Sequence, residues 1–258
     1  MALLVAVYDE YMLSHLVYWM IKNSIPGTQK LFTMVRDSES TIRSSVSVNG
    51  QKIFLELCPC DYLDRQVIQQ GYYEQHVLDE LLTTPHNGTL WDIGANVGLH
   101  SAATAALRSD LRITSIEANP LLIRRLLANV SGYANVTVVS CGLSGDYSIL
   151  PFSLNSSGNS GHSSFTPWEE VIYQRVVSLP AIPASALGNA PNTVKLDVEG
   201  HELEVLRGFG NLLSCVDKFV IETKYPQEVH QVLGRSFFGI RQIGDAHKGD
   251  YVYERLTQ

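Results

Sequence analysis

A short apolar run at residues 89–93 leads into a turn with two glycines and then into a helix of small residues, 101–107. Two further apolar runs follow at residues 111–116 and 136–139, with an amphipathic segment between them. Strands that alternate with helices in this way predict βαβ units, which build a mostly parallel sheet with helices on both faces. The sequence therefore predicts an α/β protein with a doubly wound, Rossmann-like sheet.

The chain on either side of this region supports a division into two parts. Apolar residues recur at helical spacing up to residue 23, and residues 41–57 alternate around Asn49-Gly50 as in a β-hairpin. We therefore expect an N-terminal helix and hairpin extension over residues 1–75, acting as a lid or a dimer surface, and a main domain over residues 76–258. Within the main domain, the patterns predict further strands and a terminal antiparallel pair: 193–198, 218–222, 239–242 and 251–254.

Four acidic residues stand at the ends of predicted strands: Asp92, Glu117, Asp197 and Glu222. The carboxyl ends of parallel strands meet at one edge of a sheet, and ligands of such sheets bind beyond that edge. We therefore expect all four carboxylates to lie on one rim and to mark the functional site.

The turn after the first of these strands reads Asp92-Ile-Gly-Ala-Asn-Val-Gly98. The nicotinamide pattern G-x-G-x-x-G fails here, because its three positions hold Gly94, Asn96 and Leu99. The spacing D-x-G-x-N-x-G instead resembles the first motif of class I S-adenosylmethionine-dependent methyltransferases. Glu117, about 20 residues further on, is placed to accept hydrogen bonds from both ribose hydroxyls, as in dinucleotide folds.

A second set of motifs points to one family within the class I methyltransferases. Residues 195–202 read Lys-Leu-Asp-Val-Glu-Gly-His-Glu, residues 205–208 read Val-Leu-Arg-Gly, and residues 71–74 read Gly-Tyr-Tyr-Glu. In this order the motifs resemble those of the FkbM-type methyltransferase family. The resemblance implies a seven-stranded sheet with an antiparallel C-terminal strand, S-adenosylmethionine as the methyl donor, and a hydroxyl of a small metabolite or sugar as the acceptor.

The same resemblance implies which residues line the donor site. Gly142 and Leu143 begin a small-residue turn where the family approaches the adenine. The residues carried over in this way are Glu74, Asp92, Gly94, Asn96, Gly98, Glu117, Asn119, Gly142 and Leu143. The sequence departs from the family after the fifth strand, where Lys224 follows Glu222 instead of the usual histidine.

For catalysis, a base has to take the proton of the acceptor hydroxyl. Asp197 and His201 are the two candidates, and a surface position at a helix start is the alternative for His201. Lys195 and Glu222 complete the candidate catalytic residues: Lys195 alternates with Asp197 and can pair with a carboxylate, and Glu222 can hydrogen-bond the substrate or hold the base. A cluster of four residues could also hold a divalent ion, although we expect no metal site: Asp197, Glu199, His201 and Glu222.

Composition sets the remaining expectations. The formal net charge of −7 argues against a nucleic-acid binder, which needs basic residues. The apolar N-terminal runs are too short to cross a bilayer. The four cysteines lack the spacing of a metal site or of a disulfide framework, so we expect a cytoplasmic protein. A homodimer is possible. Methylation of nitrogen or of a glycan, protein or RNA remains an alternative function, as does a noncatalytic domain that binds the cofactor.

Overall fold

The computed structural model describes residues 2–25, 40–155, 158–234, 236–244 and 249–255. The chain divides into two compact units, one of residues 1–73 with 155–161 and the other of residues 74–154 with 162–258. Among the described residues, no helix combines the length and the apolar character that crossing a membrane requires.

The smaller unit contains the helix and the hairpin that the sequence predicts, followed by a second helix. Its elements are α1 (Ala2–Lys22), β1 (Ile42–Val48), β2 (Gln51–Leu57) and α2 (Tyr62–Gln70). The hairpin turns at Asn49 and Gly50, which both have positive φ, as a two-residue turn requires. Asp61 caps α2, because its carboxylate accepts a hydrogen bond from the backbone N–H of Leu63.

The larger unit contains a seven-stranded sheet. Its strands are β3 (Thr89–Ile93), β4 (Arg112–Ile116), β5 (Val136–Val139), β9 (Thr193–Leu196), β10 (Lys218–Glu222), β11 (Gly239–Gln242) and β12 (Asp250–Glu254). Their order in the sheet is β11-β12-β10-β9-β3-β4-β5. The strand β12 runs antiparallel to both of its neighbours, β10 and β11, and the other neighbouring pairs are parallel, so the predicted mostly parallel sheet with an antiparallel C-terminal strand is confirmed.

Helices cover both faces of this sheet. They are α3 (Gln75–Leu82), α4 (Leu99–Leu107), α5 (Ile123–Val130), α6 (Glu202–Gly208) and α7 (Pro226–Leu233). Trp91 and Phe219 belong to one core, which also contains residues of α6 and α7. Leu90 and Val220 belong to a second core, with residues of α3 and α4. Successive strand residues therefore point into opposite cores, which is the doubly wound arrangement.

The register of the central strands places charged residues beside each other. Asp92 of β3 pairs with Lys195 of β9 on one side and with Ser115 of β4 on the other. Side chains of paired residues in a sheet lie on the same face, so this register brings a carboxylate, an ammonium and a hydroxyl together.

A second, three-stranded sheet lies outside the sequence-based expectations. It consists of β6 (Gly142–Leu143), β8 (Arg175–Ile182) and β7 (Ser148–Leu154), in that order. The position of Asn119 also differs from what the sequence Asn119-Pro120 predicts, which is a helix cap followed by the first helical residue. The helix begins only at Ile123, and the side chain of Asn119 accepts a hydrogen bond from the backbone N–H of Leu121 in the preceding turn.

Candidate functional site

The turn between β3 and α4 depends on glycine for space as well as for backbone conformation. Gly94 has a φ of +76°, and a Cβ at this position would lie 1.7 Å from the backbone carbonyl oxygen of Asp197. Gly98 has a φ of +83°, and a Cβ there would lie 2.6 Å from a methyl group of Leu126. Asn96 also has positive φ, which asparagine tolerates better than most residues. The turn therefore lies tightly between the loop after β9 and α5.

Glu117, directly after β4, is held by this turn. One carboxylate oxygen accepts a hydrogen bond from the backbone N–H of Asn96, and the other accepts one from the backbone N–H of Asn119, both at 2.7 Å. Burial raises the pKa of Glu117, and the two backbone N–H groups oppose the rise. Each oxygen can accept a further hydrogen bond, so the carboxylate is fixed in position and still able to bind hydroxyl groups.

Lys195 forms ion pairs with two of the four carboxylates that the sequence places at this edge of the sheet. Its ammonium lies 3.5 Å from a carboxylate oxygen of Asp92 and 3.2 Å from one of Asp197. Burial alone would lower the pKa of Lys195, but the carboxylates of Asp197, Asp92 and Glu74 outweigh it and raise the pKa above its usual range. Lys195 is therefore a permanent cation that holds Asp197 at the rim. Asp92 is buried and accepts a second contact, a 2.6 Å hydrogen bond from Ser101 on α4.

The outer part of the rim is crowded with carboxyl groups. The negative charge of Asp197, followed by burial, raises the pKa of Glu222 to about 10. Burial, followed by the charge of Asp197, raises the pKa of Glu199 to about 9. Both groups are therefore protonated at neutral pH and can donate hydrogen bonds. Burial also raises the pKa of Glu202, to about 7, although the backbone N–H of Gly200 binds its carboxylate at 2.8 Å.

His201 is buried, unlike the surface position that the sequence left open. Its Nδ1 lies 3.1 Å from the hydroxyl of Thr166, and its ring centroid lies 5.3 Å from that of Phe165. Its Nε2 has no hydrogen-bond partner among the described residues. Burial lowers the pKa of His201, so the ring is neutral at neutral pH. The ring thus packs against residues 165 and 166.

Residues 164–168 lie on the connection between β7 and β8 and contact the loop that follows β9. The hydroxyl of Ser164 donates a hydrogen bond to the backbone carbonyl of Glu199 at 2.8 Å. The indole of Trp168 lies over Gly200, where a Cβ would approach the indole nitrogen to 3.0 Å. The ammonium of Lys224 in turn lies 3.4 Å from the centroid of the Trp168 ring. Residues 164–168 therefore cover residues 199–201.

Three residues predicted to line a donor site have clear structural partners. Gly142 lies under the ring of Phe165, since a Cβ there would come within 2.4 Å of it, and Leu143 is buried in the core. Packing is therefore sufficient to explain why residue 142 is glycine. Glu74 directly precedes α3 and has positive φ, and its carboxylate lies 3.4 Å from Nε2 of His100. Their role toward a ligand stays a prediction.

Asp250 is a rim residue that the sequence did not indicate. It pairs with Glu222 across β12 and β10, and its carboxylate lies 2.8 Å from Nε2 of His76. Burial raises the pKa of Asp250, and His76 opposes the rise. Because Asp250 begins a strand near the C-terminus, no local motif marks it. Within the described parts of the chain, no three or more His, Cys, Asp or Glu side chains converge as metal ligands would.

Comparisons with known proteins identify a family that this chain matches. A model of the FkbM methyltransferase domain matches residues 92–251. The hexuronic acid methyltransferase AglP of Haloferax volcanii is 33% identical over 172 residues, which cover 63% of this chain and 69% of that protein.

Solved structures also resemble this chain, at low identity. Fibrillarin of Aeropyrum pernix, with S-adenosyl-L-methionine bound, is 10% identical, with a TM-score of 0.46 and 86% of each chain covered. A precorrin-6y C5,15-methyltransferase of Geobacter metallireducens is 14% identical, with a TM-score of 0.42, covering 70% of this chain and 90% of that one. Both TM-scores are below 0.5, and we draw nothing further from them.

Proposed function

This chain belongs to the FkbM methyltransferase family, and we propose that it transfers a methyl group from S-adenosylmethionine to a hydroxyl group of a sugar. The observation that carries the proposal is the position of Asp197. Its carboxylate is held by Lys195 at 3.2 Å, and its backbone carbonyl packs against Gly94 of the turn that would bind the donor. The activity of the Haloferax relative on a hexuronic acid supports a sugar as the acceptor.

The residues around the turn suit S-adenosylmethionine. Gly94 and Gly98 carry no side chain, so a ligand at this turn meets the backbone itself, while the carbonyl of Asp197 and a methyl group of Leu126 occupy the space where a Cβ would lie. Glu117 presents a fixed carboxylate, which fits a ribose with two hydroxyl donors. When bound, S-adenosylmethionine supplies a methyl group that is activated by its positively charged sulfur. The turn 94–98 and Glu117 would hold it.

Asp197 is the proposed general base. It is ion-paired, and about a quarter of its side chain is exposed, so it can reach an acceptor hydroxyl and accept the proton that the hydroxyl loses. Glu199 and Glu222 are less suited to this step, because their raised pKa values leave them protonated at neutral pH. They are suited to donating hydrogen bonds that orient the acceptor. His201 is buried beside Phe165 and Thr166, which makes it the weaker of the two candidate bases.

Two measurements, made one after the other, test the proposal. S-adenosylhomocysteine at about a hundred times its Kd is expected to stabilise the chain by about 2.7 kcal/mol, whereas NAD is expected to leave its Tm unchanged. Methyl transfer to a panel of sugars is then followed by mass spectrometry at saturating donor. Asp197→Asn is expected to lower turnover by about 10²- to 10⁴-fold while keeping S-adenosylhomocysteine affinity, because it removes the base and leaves the turn.

His201→Ala is the companion variant. If His201→Ala loses turnover and Asp197→Asn keeps full activity, the general base is His201 and not Asp197. Binding of S-adenosylhomocysteine without transfer to any sugar would refute the proposed reaction and favour a noncatalytic domain or another acceptor.

A further inference from the structure

Lys224 is an exposed cation directly beyond the carboxyl end of β10. Its ammonium lies 3.4 Å from the centroid of the Trp168 ring, close enough for a cation–π interaction. Trp168 is itself held in place, since its indole lies over Gly200 and its backbone N–H donates a 2.9 Å hydrogen bond to the hydroxyl of Tyr173. The lysine head is therefore restrained at the rim rather than free in solvent.

The ammonium of Lys224 forms no salt bridge with a carboxylate of the described residues, although acids crowd this rim. Asp197 is already paired with Lys195, and Glu199 and Glu222 are protonated at neutral pH. Lys224 does act on its surroundings, because its charge opposes the rise in the pKa of Glu199. It thus remains able to bind an anion.

We propose that Lys224, held on the indole of Trp168, binds a carboxylate of the acceptor, so that the enzyme selects uronic acids over neutral sugars. This inference rests on the proposed methyl transfer to a sugar. An anionic acceptor is repelled by Asp197 and attracted by Lys224, so its carboxylate turns toward Lys224 and away from the base. The exposed part of the Trp168 indole adds an apolar surface of the kind that packs against sugar rings.

The test compares two glycosides that differ in one group. Methyl β-D-glucuronide carries a carboxylate where methyl β-D-glucoside carries a neutral hydroxymethyl group. Their Kd values are measured by calorimetry on the full chain saturated with S-adenosylhomocysteine. We expect the wild type to bind the glucuronide about tenfold more tightly, and Lys224→Gln to reduce this preference to less than about twofold.

Two further variants separate charge recognition from general effects. Lys224→Arg keeps the charge and is expected to keep the preference. Lys52→Gln removes an exposed lysine of β2 and is expected to leave both Kd values unchanged.

The inference is overturned if the saturated wild type does not distinguish the two glycosides or binds neither, or if Lys224→Gln retains the preference. S-adenosylhomocysteine binding is measured first on each sample. Its absence in the wild type would refute the proposed function, whereas its presence without a glucuronide preference would refute only the inference about Lys224.

Discussion

Replacing Lys195 by methionine tests whether the buried charges at the rim depend on one another. The side chain is nearly the same length, so the variant removes the ammonium with little change in packing. It leaves Asp92, which is 1% exposed, with the hydroxyl of Ser101 as its remaining close contact, and it also releases Asp197. Removal of one partner of a buried ion pair costs about 3–5 kcal/mol, because the other charge stays buried and uncompensated.

Protonation sets an upper limit to this cost. A carboxylate left without its cation can take up a proton, which costs about 1.4 kcal/mol for each pH unit above the ordinary aspartate range near 3.9, or about 4 kcal/mol at pH 7. We therefore expect Lys195→Met to lose about 3 kcal/mol of unfolding free energy at pH 7, which lowers the Tm by roughly 6–12 °C. The loss is expected to shrink as the pH falls toward 4, because the proton then replaces the lysine at little cost.

Urea unfolding at pH 5 and pH 8 measures both the size and the pH dependence of this effect. Lys52→Met, on the exposed surface of β2, is the control and is expected to stay within about 0.5 kcal/mol of the wild type. The double variant Asp92→Asn with Lys195→Met is expected to be more stable than Lys195→Met alone at pH 8, since it removes the buried charge as well. A loss below about 1 kcal/mol in Lys195→Met, or an equal loss at both pH values, would refute the electrostatic reasoning.

Two further predictions concern the turn and the crowded rim. Gly94→Ala is expected to abolish S-adenosylhomocysteine binding in calorimetry, because its Cβ would clash with the carbonyl of Asp197. Gly188→Ala is the control that is expected to keep binding, since Gly188 also has a positive φ, of +90°, but no atom lies within 4 Å of the place where its Cβ would be. Retained affinity in Gly94→Ala would contradict the close packing of the turn. Glu222→Gln is expected to match the wild type near pH 4 and to exceed its unfolding free energy by up to about 5 kcal/mol at pH 8, since a carboxyl with a raised pKa costs about 1.4 kcal/mol for each pH unit above its unfolded pKa until the folded pKa is reached. Equal stabilities at pH 8, or the same gain in the exposed Glu169→Gln, would show that Asp197 does not act on Glu222.

The sheet was predictable because its signals are local. The run 89–93, the glycine turn and the small-residue helix occur in one stretch of chain, and each alone favours its structure. The strand-terminal positions of Asp92, Glu117, Asp197 and Glu222 follow from the same patterns, and the sheet places them at one edge. The three-stranded sheet escaped prediction, because β6 has only two residues and β8 pairs with residues far away in the chain.

The contacts and protonation states of the residues at the rim could not be predicted from the sequence as the sheet could. Lys195 alternates with Asp197 in sequence, which suggested a pair, but the contact with Asp92 depends on the register of two separate strands. The exposure of His201 was left open, because a helix-start position does not show whether another segment covers it. In the structure, residues 165 and 166 do so.

The sequence by itself determined the alternation of strands and helices in a doubly wound fold, the glycine turn and the family, because periodicity and short motifs are properties of neighbouring residues. Only the tertiary structure decided which carboxyl groups carry charge and which cation remains open to an anion. Burial and the distances between charges control both, and these depend on residues that are far apart in the chain, such as Trp168 and Lys224.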